Sequence, residues 1–167
     1  QRVPGRYPNW AASTGPTSGP GPAGYTRSGS RPAVLITASP RKTVAGSETL
    51  ITSPWPRNEK GALAGVKSTS CGENERSFAF ARERGGGEAL ILNTRGEICE
   101  GTITNFFLRR DGALLTPPLS SGLLPGVLRA ELLTRGVREQ LLRPGDLAQG
   151  DILLGNSLRD LAVARLV

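Results

Sequence analysis

Apolar residues along this chain fall in short runs, most of them separated by tight turns. Ala33-Val34-Leu35-Ile36-Thr37 and Leu50-Ile51-Thr52 are too short for helices and predict strands. Ser53-Pro54-Trp55-Pro56 ends the second, because two prolines cannot continue a ladder. Over residues 73–84 the spacing of Phe78, Ala79, Ala81 and Arg82 predicts a helix, with Gly85 as its stop. Residues 88–92 read as a buried strand. The turn Asn93-Thr94-Arg95-Gly96 returns the chain as Glu97-Ile98-Cys99, and residues 104–109 follow as a third strand. Asp111-Gly112 is a hairpin turn into residues 113–116. Pro125 suits the first turn of a helix over residues 125–134. Residues 137–142, 152–154 and 161–167 read as strands. Strands outnumber helices and join through tight turns, so the expected fold is α/β, with helices on a mixed, mainly antiparallel sheet.

The pattern is absent from residues 1–32, where 6 Gly and 6 Pro stand among Ser and Thr. Such a stretch buries too little apolar surface to offset its chain entropy, and loop or disorder is expected. Ser39-Pro40-Arg41-Lys42 reads as a linker. The 167 residues hold one full domain and a fragment of another; a chain that opens on Gln and contains no Met is read as a fragment or a processed product. With no His, His-based triads and His metal sites are excluded. Cys71 and Cys99 form neither a disulfide framework nor a zinc site, and read as small residues in a reducing compartment; no metal is expected. No leader pattern and no apolar run of ~18 residues is present, so a cytoplasmic chain without a membrane span is expected.

The net charge of +7 raises the question of nucleic acid. Of the basic residues 18 are Arg, and Arg2, Arg6, Arg27 and Arg31 lie in the first 32 residues, which hold no acidic residue. Beyond them Arg is scattered among Glu and Asp without forming a stripe. A general Arg bias accounts for the charge, and no nucleic-acid partner is expected.

Four segments could carry chemistry. Lys67 follows the small, apolar run Leu63-Ala64-Gly65-Val66, which is expected to bury its stem; a buried lysine is an amine nucleophile, although the local sequence alone favours an ordinary surface lysine. Glu100, at a strand end before Gly101, could face a ligand or simply flank a turn. Leu124-Pro125-Gly126-Val127-Leu128-Arg129 is a loop entering a helix, whose free amides and dipole receive anions. Gly155-Asn156-Ser157-Leu158-Arg159 offers amides, a hydroxyl and a guanidinium to a phosphate or carboxylate, or is a polar turn.

Order and spacing tie these segments together. Lys67, then Glu100-Gly101-Thr102-Ile103-Thr104-Asn105-Phe106-Phe107-Leu108, then Thr116-Pro117-Pro118-Leu119 running to Leu124-Pro125-Gly126-Val127-Leu128-Arg129, then Asn156-Ser157-Leu158-Arg159, resembles the class IV pyridoxal-phosphate enzymes over residues 33–167. The family includes branched-chain and D-amino-acid aminotransferases and 4-amino-4-deoxychorismate lyase. The resemblance implies the large domain of fold type IV, a pyridoxal 5'-phosphate cofactor and a homodimer. It makes residues 41–167 the cofactor-binding domain and residues 33–40 a remnant of the small N-terminal domain, which in the family supplies an Arg to the phosphate. Lys67 matches the catalytic lysine covalently bound to the cofactor, and Glu100 the partner of the pyridine nitrogen. Val127 and Leu128, preceded by Gly126, match the helix-start amides that hold the phosphate, and Thr104 and Asn105 belong to the cofactor-binding motif. Ser157 matches a second phosphate or substrate contact, and Leu158 and Arg159 a substrate contact. Cys71 stands where related enzymes often carry Tyr, and Ile103 where they usually carry Gly or Ser beside the ring. Leu128 stands where the aminotransferases more often have Thr. The stretch from Leu123 to Leu133, with Gly155 to Arg159, therefore looks most like the lyase, which releases pyruvate from aminodeoxychorismate to leave 4-aminobenzoate for folate synthesis and can be fused to a synthase subunit. An aminotransferase, or a non-catalytic interface module, is the alternative.

Overall fold

A computed structural model describes the backbone of residues 10–16 and 32–38, and residues 48–167 in full. The chain divides into two units, Gln1–Thr43 and Val44–Val167. In the first, β1 (Trp10–Pro16) pairs antiparallel with β2 (Pro32–Ala38), from Trp10↔Ala38 to Pro16↔Pro32. β2 lies where the apolar run places it. β1 corrects the expectation of loop for its seven residues: a backbone ladder needs no apolar side chains once a partner strand supplies donors and acceptors. The rest of residues 1–32, and the linker at residues 39–42, lie outside the described residues.

The second unit contains β3 (Glu48–Thr52), α1 (Gly72–Glu83), β4 (Glu88–Leu92), β5 (Ile98–Gly101), β6 (Asn105–Arg110), β7 (Ala113–Thr116), α2 (Val127–Thr134), β8 (Arg138–Glu139), β9 (Asp151–Asn156) and β10 (Asp160–Leu166). The strands run in the order β5-β4-β3-β10-β9-β6-β7-β8, and β5 also pairs with β6. That extra pairing closes six strands into a ring and leaves β7 and β8 as an extension. β3 pairs in parallel with β4 and β10, and β7 with β8; the other neighbours are antiparallel, which is the mixed, mainly antiparallel sheet expected.

Every strand of the ring sends a side chain to one core: Leu50, Leu90, Ile98, Phe106, Leu108, Ile152, Leu154 and Ala164. Alternation along β6 then turns Phe107 to the other face, where Leu153 and Val137 bury it with Leu132 and Leu133 of α2. α1 packs on β3 and β4 through Ser77 and Ala81, one helical turn apart.

Three elements differ from the sequence reading. Residues 137–142 give only the two-residue β8, because Val137 and Leu142 are buried in different cores and the chain bends between them. Pro144–Gln149 is a 3-10 helix, started by the Asp146 carboxylate accepting from the Arg143 amide at 2.7 Å. Thr104 lies in the turn before β6 and not in the strand, its hydroxyl donating to Glu88 at 3.2 Å. No described helix is long and apolar enough to cross a membrane.

Candidate active site

The ring closes on a single residue pair, Glu100↔Asn105. Both side chains are buried, each 5% exposed, and both point to the segment ahead of α2. Glu100 Oε2 accepts from the Leu124 amide at 3.0 Å and Asn105 Nδ2 at 3.5 Å, while Oε1 accepts from Arg57 Nη1 at 3.0 Å. Burial pushes the Glu100 carboxyl above its ordinary range; the Leu124 amide, the Arg57 guanidinium and the Lys67 ammonium pull it back without cancelling the shift.

Asn105 also donates from Nδ2 to the Leu124 carbonyl at 2.9 Å. It comes so close to Gly126 that a Cβ there would lie 2.0 Å from Asn105 Oδ1. Gly126 is the N-cap of α2, and no side chain caps that end. The first amides of α2, those of Val127 and Leu128 included, have no acceptor within the helix and stay available to an anion. The helix is pinned from behind by Arg129, 3% exposed, whose Nη2 donates to the Pro117 carbonyl at 2.8 Å and to Glu139. Leu128 packs over β9 at Gly155, where a Cβ would meet Leu128 Cδ2 at 2.7 Å.

Lys67 lies in the loop before α1. The loop reaches the same place through Gly65, at φ +72°, whose Cβ position is 3.8 Å from the Leu123 carbonyl and 3.9 Å from Pro125 Cδ. The expectation of a buried stem is corrected, since Lys67 is exposed. Residues 58–66 curl through successive backbone turns, Gly61 to Asn58, Ala64 to Gly61 and Val66 to Leu63, which turn Leu63 and Val66 outward at 52% and 54% exposure. No layer of side chains among the described residues covers the amine, yet its charge reaches Glu100.

The β9–β10 hairpin completes the site. Asn156 Nδ2 donates to the Ile103 carbonyl at 3.0 Å, and Asn156 Oδ1 accepts from the amides of Leu158 and Arg159, each at 2.9 Å. Ser157, Leu158 and Ile103 are exposed. Arg159 is turned away to Glu48, 3.7 Å between charged atoms. The structure thus brings together Lys67, Glu100, Asn105, Gly126, Val127 and Leu128 and ties the hairpin of Ser157 and Leu158 to Ile103 through Asn156, while Thr104 and Arg159 are engaged with Glu88 and Glu48.

Two contributors escaped the sequence reading. Arg57 bonds Glu100 and, through Nη2, Asn74 Oδ1 at 2.9 Å; Asn74 Nδ2 then donates to the Thr102 carbonyl at 2.7 Å. Nothing marks Arg57 among the 18 arginines, and Asn74 hides in a helical pattern. Cys71 is exposed and Cys99 buried, with burial raising the Cys99 thiol to about 12.

A buried carboxylate, an exposed amine and an uncapped helix start along one seam suit a ligand that is anionic at one end and cationic at another. The sequence profile described as amino-transferase class IV matches residues 7–166, and the chain belongs to that family, whose cofactor is pyridoxal phosphate. A branched-chain-amino-acid aminotransferase of Escherichia coli K12 is 34% identical over 137 residues, covering 72% of this chain and 42% of that enzyme. A protein of Schizosaccharomyces pombe, provisionally named aminodeoxychorismate lyase, is 36% identical over 85 residues, covering 48% of this chain and 37% of that protein. A structure from Mesorhizobium loti, provisionally named an amino-acid aminotransferase, superposes with a TM-score of 0.76 at 37% identity, covering 81% of this chain and 68% of that one.

The residues fit the cofactor. A protonated pyridine nitrogen would give the Glu100 carboxylate a second cationic partner beside Arg57 and offset the burial that raises its carboxyl. The first amides of α2 suit the phosphate, and Lys67 supplies an amine for the aldehyde.

Proposed function

We propose that this chain carries the pyridoxal-phosphate site of an enzyme that releases pyruvate from 4-amino-4-deoxychorismate and leaves 4-aminobenzoate. The observation that carries the cofactor site is Glu100: a carboxylate 5% exposed, held by Arg57 and the Leu124 amide, on the seam that also sets the start of α2. When bound, the cofactor withdraws electrons from the carbon beside the substrate's amino group. Glu100 keeps the ring nitrogen protonated, and the α2 amides and Ser157 hold the phosphate end. Lys67 Nζ is the mobile base that takes a proton at substrate carbon and returns it as product forms. The lyase reading is favoured by Leu128, whose side chain covers Gly155 and leaves the helix start with amides and no hydroxyl. A branched-chain aminotransferase is the second reading, favoured by the match to the E. coli enzyme over 72% of this chain.

The test is to add pyridoxal phosphate to the full chain, reduce with borohydride and map the labelled peptide. Label at Lys67 is expected; label at Lys42 or Lys60 overturns the site. Products then divide the two readings: pyruvate and 4-aminobenzoate from aminodeoxychorismate alone, or a keto acid formed only when an amino donor and acceptor are both present.

A further inference from the structure

The register of β4 on β5, Leu90↔Gly101 and Ile91↔Glu100, sets Glu88 beside the turn that follows Gly101, where β5 has already left the ladder. The amides of Thr102 and Ile103 therefore have no strand carbonyl to meet, and Thr102 is 6% exposed. Glu88, 1% exposed, takes their place with its carboxylate. Oε1 accepts from the Ala89 amide at 3.0 Å, the Thr102 amide at 2.9 Å and the Thr102 hydroxyl. Oε2 accepts from the Ile103 amide at 3.4 Å and the Thr104 hydroxyl at 3.2 Å. Gly101 leaves the room, since a Cβ there would lie 3.0 Å from Glu88 Cδ.

We propose that Glu88 is a positioning residue for the cofactor site, acting from outside it through the turn of Thr102, Ile103 and Thr104; this rests on the proposed function. The two ends of that turn are Glu100 and Asn105, the pair that closes the ring. Asn105 in turn holds the Leu124 carbonyl ahead of α2. One carboxylate thus sets the spacing between the group that meets the ring nitrogen and the amides that meet the phosphate. The role demands two acceptor oxygens. Each oxygen faces a backbone N–H, and a backbone N–H cannot rotate away as a hydroxyl can. A glutamine would aim its NH2 at one of them in either amide orientation. Glu88→Gln, equal in size, is therefore not a neutral change.

The experiment compares wild type, Glu88→Gln and Thr102→Val as full chains, reading hydrogen exchange without cofactor and pyridoxal phosphate affinity by absorbance. In Glu88→Gln, exchange at the Thr102 and Ile103 amides should speed up while Leu90 and Phe106 stay protected. Cofactor affinity should fall about tenfold or more, and the pH at which the bound cofactor's visible band titrates should move. Thr102→Val removes one donor, keeps the volume, and should shift the same readouts by less. Should Glu88→Gln fail to fold, Thr102→Val decides the matter alone. Wild-type binding with both turn exchange and affinity unchanged in the variants overturns this inference and leaves the proposed function standing. A wild type that does not bind the cofactor overturns both.

Discussion

Burial raises the carboxyls of two glutamates three positions apart, yet their net shifts have opposite signs. Glu97 is 3% exposed, but Arg95, Asn93 and Ser121 all donate to it, and they hold its carboxyl at about 2, well below the usual 4.5. Its ionised form is preferred in the folded chain, so its contribution to stability is full above about pH 4.5 and drains away as pH falls toward 2. Glu97→Gln should flatten this acid limb in thermal melts; an unchanged limb would show that other carboxylates carry it. Glu100 has the opposite sign. Its raised pKa favours the protonated form on folding, a gain lost as pH rises through the folded value. The difference in Tm between Glu100→Gln and wild type should therefore become more positive from about pH 4 to about pH 8, while turnover of an active enzyme falls sharply. Glu100 and Lys67 were legible because their spacing belongs to a pattern. The exposure of Lys67 was not, since a run of small apolar residues says nothing about whether another layer covers it. Arg57 was not legible either, because its role exists only once Glu100 faces it across 43 positions of chain.

At the scale of elements, the approach of α2 to β6 is the tight joint. Gly126 has an ordinary φ of −68°, so alanine is barred there by Asn105 and not by backbone strain. Gly126→Ala should displace the Asn105 side chain, cost about 1–3 kcal/mol in denaturant melts, and weaken binding of pyridoxal phosphate. Retained affinity would mean that Asn105 does not hold the helix start. β4 and β7 were readable to the residue, because packing on both faces, Leu90 and Leu115 in one core and Ile91 and Leu114 in others, writes itself into continuous apolar runs. The 3-10 helix at Pro144–Gln149 and the shrinkage of β8 were not readable, because they follow from where Leu142 and Val137 find their separate cores.

At the scale of the molecule, the site opens outward from the second unit: among its residues Lys67, Ile103, Val127 and Leu158 are all exposed. The chain spans 42% of the length of the E. coli aminotransferase it matches. Water around these groups weakens the electrostatics that the chemistry uses. Fusing the N-terminal half of such a relative ahead of residue 44 should raise cofactor affinity about ten- to a hundredfold, the worth of one charge-assisted phosphate contact. Equal affinities with and without that half would show the phosphate site to be complete as it stands.

The ring also joins the two ends of the second unit, because β3, its first strand, lies between β4 and β10, its last. On the ribosome, Leu50 therefore waits for Leu166, and the barrel cannot close while any of the final strand is still in the exit tunnel. Until then β3 and β9 present open edges to other nascent chains. A stop codon at position 160, which removes β10 and Val167, should send the product into inclusion bodies, although every residue of the seam has been made.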